Sequence, residues 1–178
     1  MKQKIAIIGA GNLGISLADG LVNSNKYSPE QFYLSRRRSE KLESKKKLGF
    51  NCFNNNKSAI KDVEIIIIAV LPQKINEVLL EIKNSLKTNQ IIISLVSGVE
   101  IKNISEIIGS NNPIFRAMPN TAISIRESMT CITTLEKWKS KLSEITKLFN
   151  EVGETTIINE EKMTSATALC ACGIAFFL

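Results

Sequence analysis

Six residues near the amino terminus, Gly9-Ala10-Gly11-Asn12-Leu13-Gly14, have the types and spacing to hold a phosphate. They follow the apolar run at 4–8 and lead into a segment with Leu13, Leu17 and Leu21 on one helical face. In that setting each glycine of a GxGxxG pattern has a task. Gly9 permits the tight turn, Gly11 lets a pyrophosphate approach the backbone, and Gly14 lets helix and strand pack closely. The helix that starts here would aim unpaired N–H groups and a partial positive charge at the phosphates. A glycine turn without a ligand is the plainer alternative, and the strand–turn–helix setting makes it the poorer one.

The next chemical position is the end of the second apolar run, where Ser35-Arg36-Arg37-Arg38 stand. A dinucleotide fold that prefers NAD places Asp or Glu there to bind the ribose 2′-hydroxyl. A carboxylate repels a 2′-phosphate, whereas a hydroxyl and a guanidinium fork attract one. The expected cofactor is therefore NADP, with NADPH preferred over NADH. Ser35, Arg36 and Arg37 form the selector, and Arg38 turns to solvent.

Other chemistries are narrowed by what the chain carries. It has no histidine, which excludes histidine metal sites and Ser-His or Cys-His nucleophiles. Cys52, Cys131, Cys170 and Cys172 show no CxxC spacing, so they read as packing thiols and no metal site is expected. The net charge of +6 is concentrated in the stretch from Ser35 to Gly49. That stretch lacks interleaved aromatics or a groove-reading motif, so it reads as a solvated helix face rather than a nucleic-acid surface. No apolar run reaches the roughly 18 residues that span a bilayer. The first apolar run breaks at Gly9, where a signal peptide would continue. A cytoplasmic protein is expected, with no membrane and no nucleic-acid partner.

The elements that must position these residues alternate. Strands are expected at 4–8, 31–35, 63–70, 90–98, 113–118, 128–134 and, at an edge, 154–159. Helices are expected at 13–22, 39–48 and from Pro72 through Ile75, Leu79, Ile82 and Leu86. A last amphipathic helix carries Trp138, Leu142, Ile145 and Phe149, opened by a Thr133–Glu136 capping box. The isoleucine-rich run at 63–70 suits a central parallel strand covered on both faces. The fold class is α/β: a doubly wound, mostly parallel, Rossmann-type sheet.

With these elements in place, the segments IGAGNLGISLADGL, LSRR, AVLPQ, ISLVSGV, RAMPNTAISI, LFNEVGE and EEKMTSATALCACGIAFF resemble, in order and spacing, the pyrroline-5-carboxylate reductases. That family reduces the cyclic imine pyrroline-5-carboxylate to proline with NADPH or NADH. The resemblance covers essentially the whole chain, and RAMPNT with the approach to the last helix are its specific parts. It implies cofactor contacts at the glycine turn, including Asn12 and Leu13, at Ser35 and Arg36 for the adenosine phosphate, and at Asn56 on the adenine side. It implies a loop of Ala69, Val70, Leu71 and Pro72, with Leu71 in place of a frequent lysine. Ser97 and Gly98 would lie near the nicotinamide, and Met118, Pro119, Asn120 and Thr121 would form the wall facing the substrate.

The resemblance further implies a division into an NADP-binding domain at 1–160 and, at 161–178, the start of an all-helical dimerisation domain. The final thirteen residues, Ala166 to Leu178, carry no charge. They are expected to be the first helix of that domain, its remainder being absent from the sequence, and to need a second copy as partner. Here Cys170 and Cys172 replace serines, Ala171 a glycine, Ile174 a proline and Phe176 a tyrosine of the family pattern. No catalytic residue is assigned. The expected activity is imine reduction, weak or lacking in this chain alone. A non-catalytic NADP-binding module and a reductase with another substrate are the alternatives.

Overall fold

The computed structural model describes residues 3–173, and within them every side chain but those of Ser39, Ala171 and Cys172. The expectations for Ile174, Phe176 and Phe177, and for the Cys172 side chain, lie outside the described residues. The chain runs β1 (Ile5–Ile8), α1 (Asn12–Asn23), β2 (Phe32–Ser35), α2 (Glu43–Lys47), β3 (Asn51–Phe53), α3 (Asn56–Ile60) and β4 (Ile65–Ile68). It continues as α4 (Ile75–Ile82), β5 (Ile91–Ser94), α5 (Ile101–Ile108), β6 (Ile114–Met118), β7 (Ser128–Thr134), α6 (Leu142–Asn150), β8 (Gly153–Ile157) and α7 (Met163–Ala166).

The strands form one sheet in the order β3-β2-β1-β4-β5-β6-β7-β8. The first six are parallel; β7 runs antiparallel to β6, and β8 parallel to β7. The order reverses between β1 and β4, whose partners run from Ile5↔Ile65 to Ile8↔Ile68. Every residue of β1, β4, β5 and β6 is buried. Successive side chains of a strand point to opposite faces, so a strand covered on both sides must be apolar throughout. Ile5, Ile7, Ile65 and Ile67 join Leu17 and Leu21 of α1 and Ile145 and Phe149 of α6 in one core. Ala6, Ile8, Ile66 and Ile68 join Val78 and Leu79 of α4 and Ile104 of α5 in the other. This double cover is why the isoleucine runs are continuous and why their strands sit in the middle.

Two local readings of the sequence are corrected. Thr133 does not cap a helix: it is buried in β7 opposite Arg116 of β6, and the ladder claims its backbone. The turn before α6 is a 3-10 segment, Glu136–Lys141, preceded by the extended Leu135 with no side-chain cap. The polar helix at 39–48 is a 3-10 turn, Ser39–Leu42, followed by the short α2. Pro72 does open a helical stretch, as a 3-10 turn that runs into α4. After α7 the backbone continues as a π-helical segment, Thr167–Cys172. Met163 anchors this ending, fully buried against Met118 and Cys131.

Candidate functional site

The turn after β1 is built against two neighbours. Gly9 and Ala10 donate their backbone N–H groups to the Ser35 carbonyl at 3.0 and 2.9 Å, and Ala69 N donates to Ile8 O at 2.8 Å. The first turn is thereby tied to the ends of β2 and β4. Gly9 has φ +89°, and a Cβ there would stand 2.5 Å from the Ala69 carbonyl oxygen. A Cβ on Gly14 would stand 2.8 Å from Gly9 O, where α1 packs on the strand. Gly11 differs: its Cβ would meet Gly9 O alone, at 3.9 Å, so the space before it is open. The α1 N-terminus that follows has no side-chain cap and no acidic residue in its first turn. Two glycines are required by the protein itself, and the third leaves room for something else.

That room belongs to a cavity of about 310 Å³ at the carboxyl end of the sheet, where the strand order reverses. Of the residues singled out from the sequence, Gly9, Gly11, Ser35, Arg36, Arg37, Asn56, Ala69, Val70 and Leu71 line it. Ile8, Lys74 and Val78 complete it without having been expected. Lys74 stands at the end of the 3-10 turn that Pro72 begins, three positions after Leu71. A cation thus reaches the cavity from one helical turn beyond the place where the resemblance puts a lysine. Asn12 and Pro72 are exposed outside the lining, Leu13 packs against the core, and Gly14 lies buried beneath the turn.

The cavity wall is basic. Arg36 folds back so that Nη1 donates to Ala10 O at 3.3 Å, and its backbone N–H bonds Phe53 O. Arg37 and Lys74 both pair with Glu77 on α4, Lys74 at 3.0 Å. The Lys74 hydrogen bond, followed by that of Arg37, holds the Glu77 carboxyl below the usual carboxylate range. Arg38 is exposed. Ser35 is buried, and its hydroxyl and Asn56 belong to a hydrogen-bonded chain that ends on Glu81.

The remaining expected residues lie further along the same edge. Ser97 and Gly98 are exposed beyond β5, and Gly98 borders a second hollow of about 300 Å³ with Arg116 and Glu160. Met118, Pro119 and Asn120 are buried and Thr121 is exposed. The Asn120 side chain is engaged at both ends: its Oδ1 accepts from Ala122 N at 3.0 Å and its Nδ2 donates to Cys170 O at 3.1 Å. Cys131 Sγ lies 3.8 Å from Cys170 Sγ, and burial, then that neighbour, pushes the Cys131 thiol up to about 11. Arg116, missed in the sequence, is a buried cation in mid-strand, with Nη1 on Glu160 Oε1 at 3.1 Å. The same oxygen accepts the Ile101 N–H at the start of α5, at 2.8 Å. A charge inside the apolar PIFRAM run was the signal that marked it.

A larger hollow, about 620 Å³, lies at the opposite, amino end of the strands. There Lys87 pairs with Asp62, and the Lys4 backbone N–H donates to Glu64. Ligands of open α/β sheets bind beyond the carboxyl ends of the strands, where the order reverses, and the glycine turn lies at that end. The open approach at Gly11, the uncapped helix start and the basic rim all fit a dinucleotide phosphate ester.

Residues 4–98 match a family model described as NADP oxidoreductase, coenzyme F420-dependent. Pyrroline-5-carboxylate reductase 2 of Dictyostelium discoideum is 42% identical over 191 residues, covering 98% of this chain and 64% of that protein. Pyrroline-5-carboxylate reductase 1 of the same organism is 39% identical, covering 97% of this chain and 34% of that protein. The crystal structure of Plasmodium falciparum pyrroline carboxylate reductase with NADP bound superimposes with a TM-score of 0.88 at 29% identity, over 99% of this chain and 65% of that one. The chain thus spans less than two thirds of the length of each of these relatives.

Proposed function

The chain belongs to the NADP oxidoreductase family of that model and, over the stretch it spans, to the pyrroline-5-carboxylate reductases; from this premise we propose that it is the cofactor-binding part of an enzyme that reduces the cyclic imine 1-pyrroline-5-carboxylate to proline with NADPH. The observation that carries the reading is the open face at Gly11, set in a cavity rimmed by Arg36, Arg37 and Lys74. The α1 N-terminus, from Asn12 and Leu13 to Gly14, receives the pyrophosphate through backbone N–H groups, Gly11 leaves the approach to it open, and Gly9 holds the turn with its own N–H on Ser35 O. Arg36 and Arg37 give NADPH its preference over NADH, with Ser35 and Asn56 beside the ribose and adenine. The loop Ala69, Val70, Leu71 and Pro72 covers the dinucleotide where it crosses the sheet.

When bound, the reduced nicotinamide supplies a hydride to the imine carbon while the ring nitrogen gains a proton. The protein contributes position: Ser97 and Gly98 border the nicotinamide, and Met118, Pro119, Asn120 and Thr121 wall the substrate side. Holding the two reactants in register is the main catalytic effect such a site adds. Residues 1–160 form the cofactor domain, and 161–178 begin a helical domain through which two copies associate and complete the substrate side. A cytoplasmic setting keeps reduced dinucleotide at hand.

Calorimetric titrations with NADPH and NADH at one salt concentration test the reading. Tighter binding of NADPH is expected, by roughly tenfold for a charge-assisted contact. A folded chain that takes up neither dinucleotide sinks the proposal.

A further inference from the structure

Ser35, at the end of β2, donates its hydroxyl to Asn56 Oδ1 at 2.6 Å, and Asn56 Nδ2 donates to Glu81 Oε2 at 2.8 Å. Asn56 is the first residue of α3, and Glu81 is near the end of α4. The three side chains link one strand end to two helices. The two ends of a carboxamide are nearly alike in shape, so its neighbours decide which way it faces. Here the neighbour is a carboxylate, which accepts and does not donate. The Asn56 amide must therefore turn its NH2 toward Glu81 and its carbonyl toward Ser35. That carbonyl also only accepts, so the Ser35 proton is committed to it. Ser35 and Asn56 both line the cavity, and what the Ser35 oxygen can still offer there is lone pairs.

We propose that Glu81 is a positioning residue that makes Ser35 a hydrogen-bond acceptor toward the dinucleotide, so that Ser35 receives a ribose hydroxyl and the 2′-phosphate is left to Arg36 and Arg37. The inference rests on the cofactor reading above and revises one expectation drawn from the sequence. The sequence pairs the Ser35 hydroxyl with the phosphate as a donor. A phosphate dianion has no proton to give an acceptor, and lone pairs turned toward it repel it. A ribose hydroxyl, which both dinucleotides carry, supplies the missing proton. Selectivity therefore resides in the guanidinium groups, and the strand-end serine binds both forms alike.

The test is titration calorimetry with NADPH and with NADH on wild type, Ser35→Ala, Glu81→Gln and the double variant, each checked for folding by circular dichroism. Ser35→Ala is expected to weaken both dinucleotides by the same factor, about threefold to tenfold, leaving their ratio unchanged. Glu81→Gln presents a carboxamide that tolerates either orientation of Asn56. It frees Ser35 to donate, and the ratio moves toward NADPH by about threefold or more; in the double variant that gain disappears. A Glu81→Gln protein whose two affinities fall together marks a merely structural role and overturns the proposal. So does a Ser35→Ala protein that loses NADPH affinity and keeps that for NADH, an outcome that leaves the cofactor reading intact. A folded wild type that binds neither dinucleotide overturns the reading and this proposal with it.

Discussion

Two glycines two positions apart separate folding from binding. Gly9 has a positive φ, and a side chain on it would collide with the Ala69 carbonyl, a backbone atom that cannot step aside. Gly9→Ala is expected to lower stability by about 2 kcal/mol or more, since it combines left-handed strain with overpacking. Gly11→Ala meets nothing closer than 3.9 Å. It is expected to keep the wild-type melting temperature within a degree or two while weakening NADPH roughly tenfold or more, because the methyl fills the phosphate approach. Thermal melts and dinucleotide titrations on the two variants check this. A Gly11→Ala protein with unaltered affinity would mean that the phosphates lie elsewhere.

Among the elements, the tie between Arg116 and Glu160 joins β6, the start of α5 and the segment leading into α7. Arg116 is nearly fully buried, and its Nε has no hydrogen-bond partner among the described residues. Glu160→Gln leaves that cation uncompensated and is expected to cost about 3 kcal/mol in urea unfolding, the low end for a broken buried pair because Glu160 is partly exposed. An unchanged midpoint would show that water already compensates the guanidinium. The central strands were legible because double burial writes an unbroken isoleucine run. The glycine turn was legible because its spacing has few other uses. β3 and α3 were not: one has three half-buried residues at the sheet edge, and the other a single turn and a half, too short for a period to register. Thr133 misled because a capping residue and a strand residue look alike until the β6 ladder is known. Lys74 escaped notice because its place in the cavity depends on how the 3-10 turn swings into α4, which local spacing does not encode. Gly20 also escaped: a Cβ there would stand 2.8 Å from Ile123 O, a closeness set by packing across the fold.

At the scale of the whole molecule, the net charge of +6 and the basic stretch from Ser35 to Gly49 place a positive field beside the proposed phosphate site. The 2′-phosphate adds negative charge that NADH lacks, so its share of the affinity is the part that salt screens. Raising ionic strength from about 0.05 to about 0.5 M is expected to weaken NADPH several-fold more than NADH and to narrow the gap between them. A gap that holds constant with salt would assign the preference to uncharged contacts.

The cavity's lining has a further consequence, one of timing. Every residue that lines it falls between Ile8 and Val78, and the strands that frame it, β1, β2 and β4, are complete by Ile68. A chain emerging from the ribosome therefore carries the whole lining while α6, β7 and β8 are still unmade. At the proposed site, a dinucleotide present during synthesis would meet its lining before the protein is finished, and binding at that stage would favour the nascent fold by mass action.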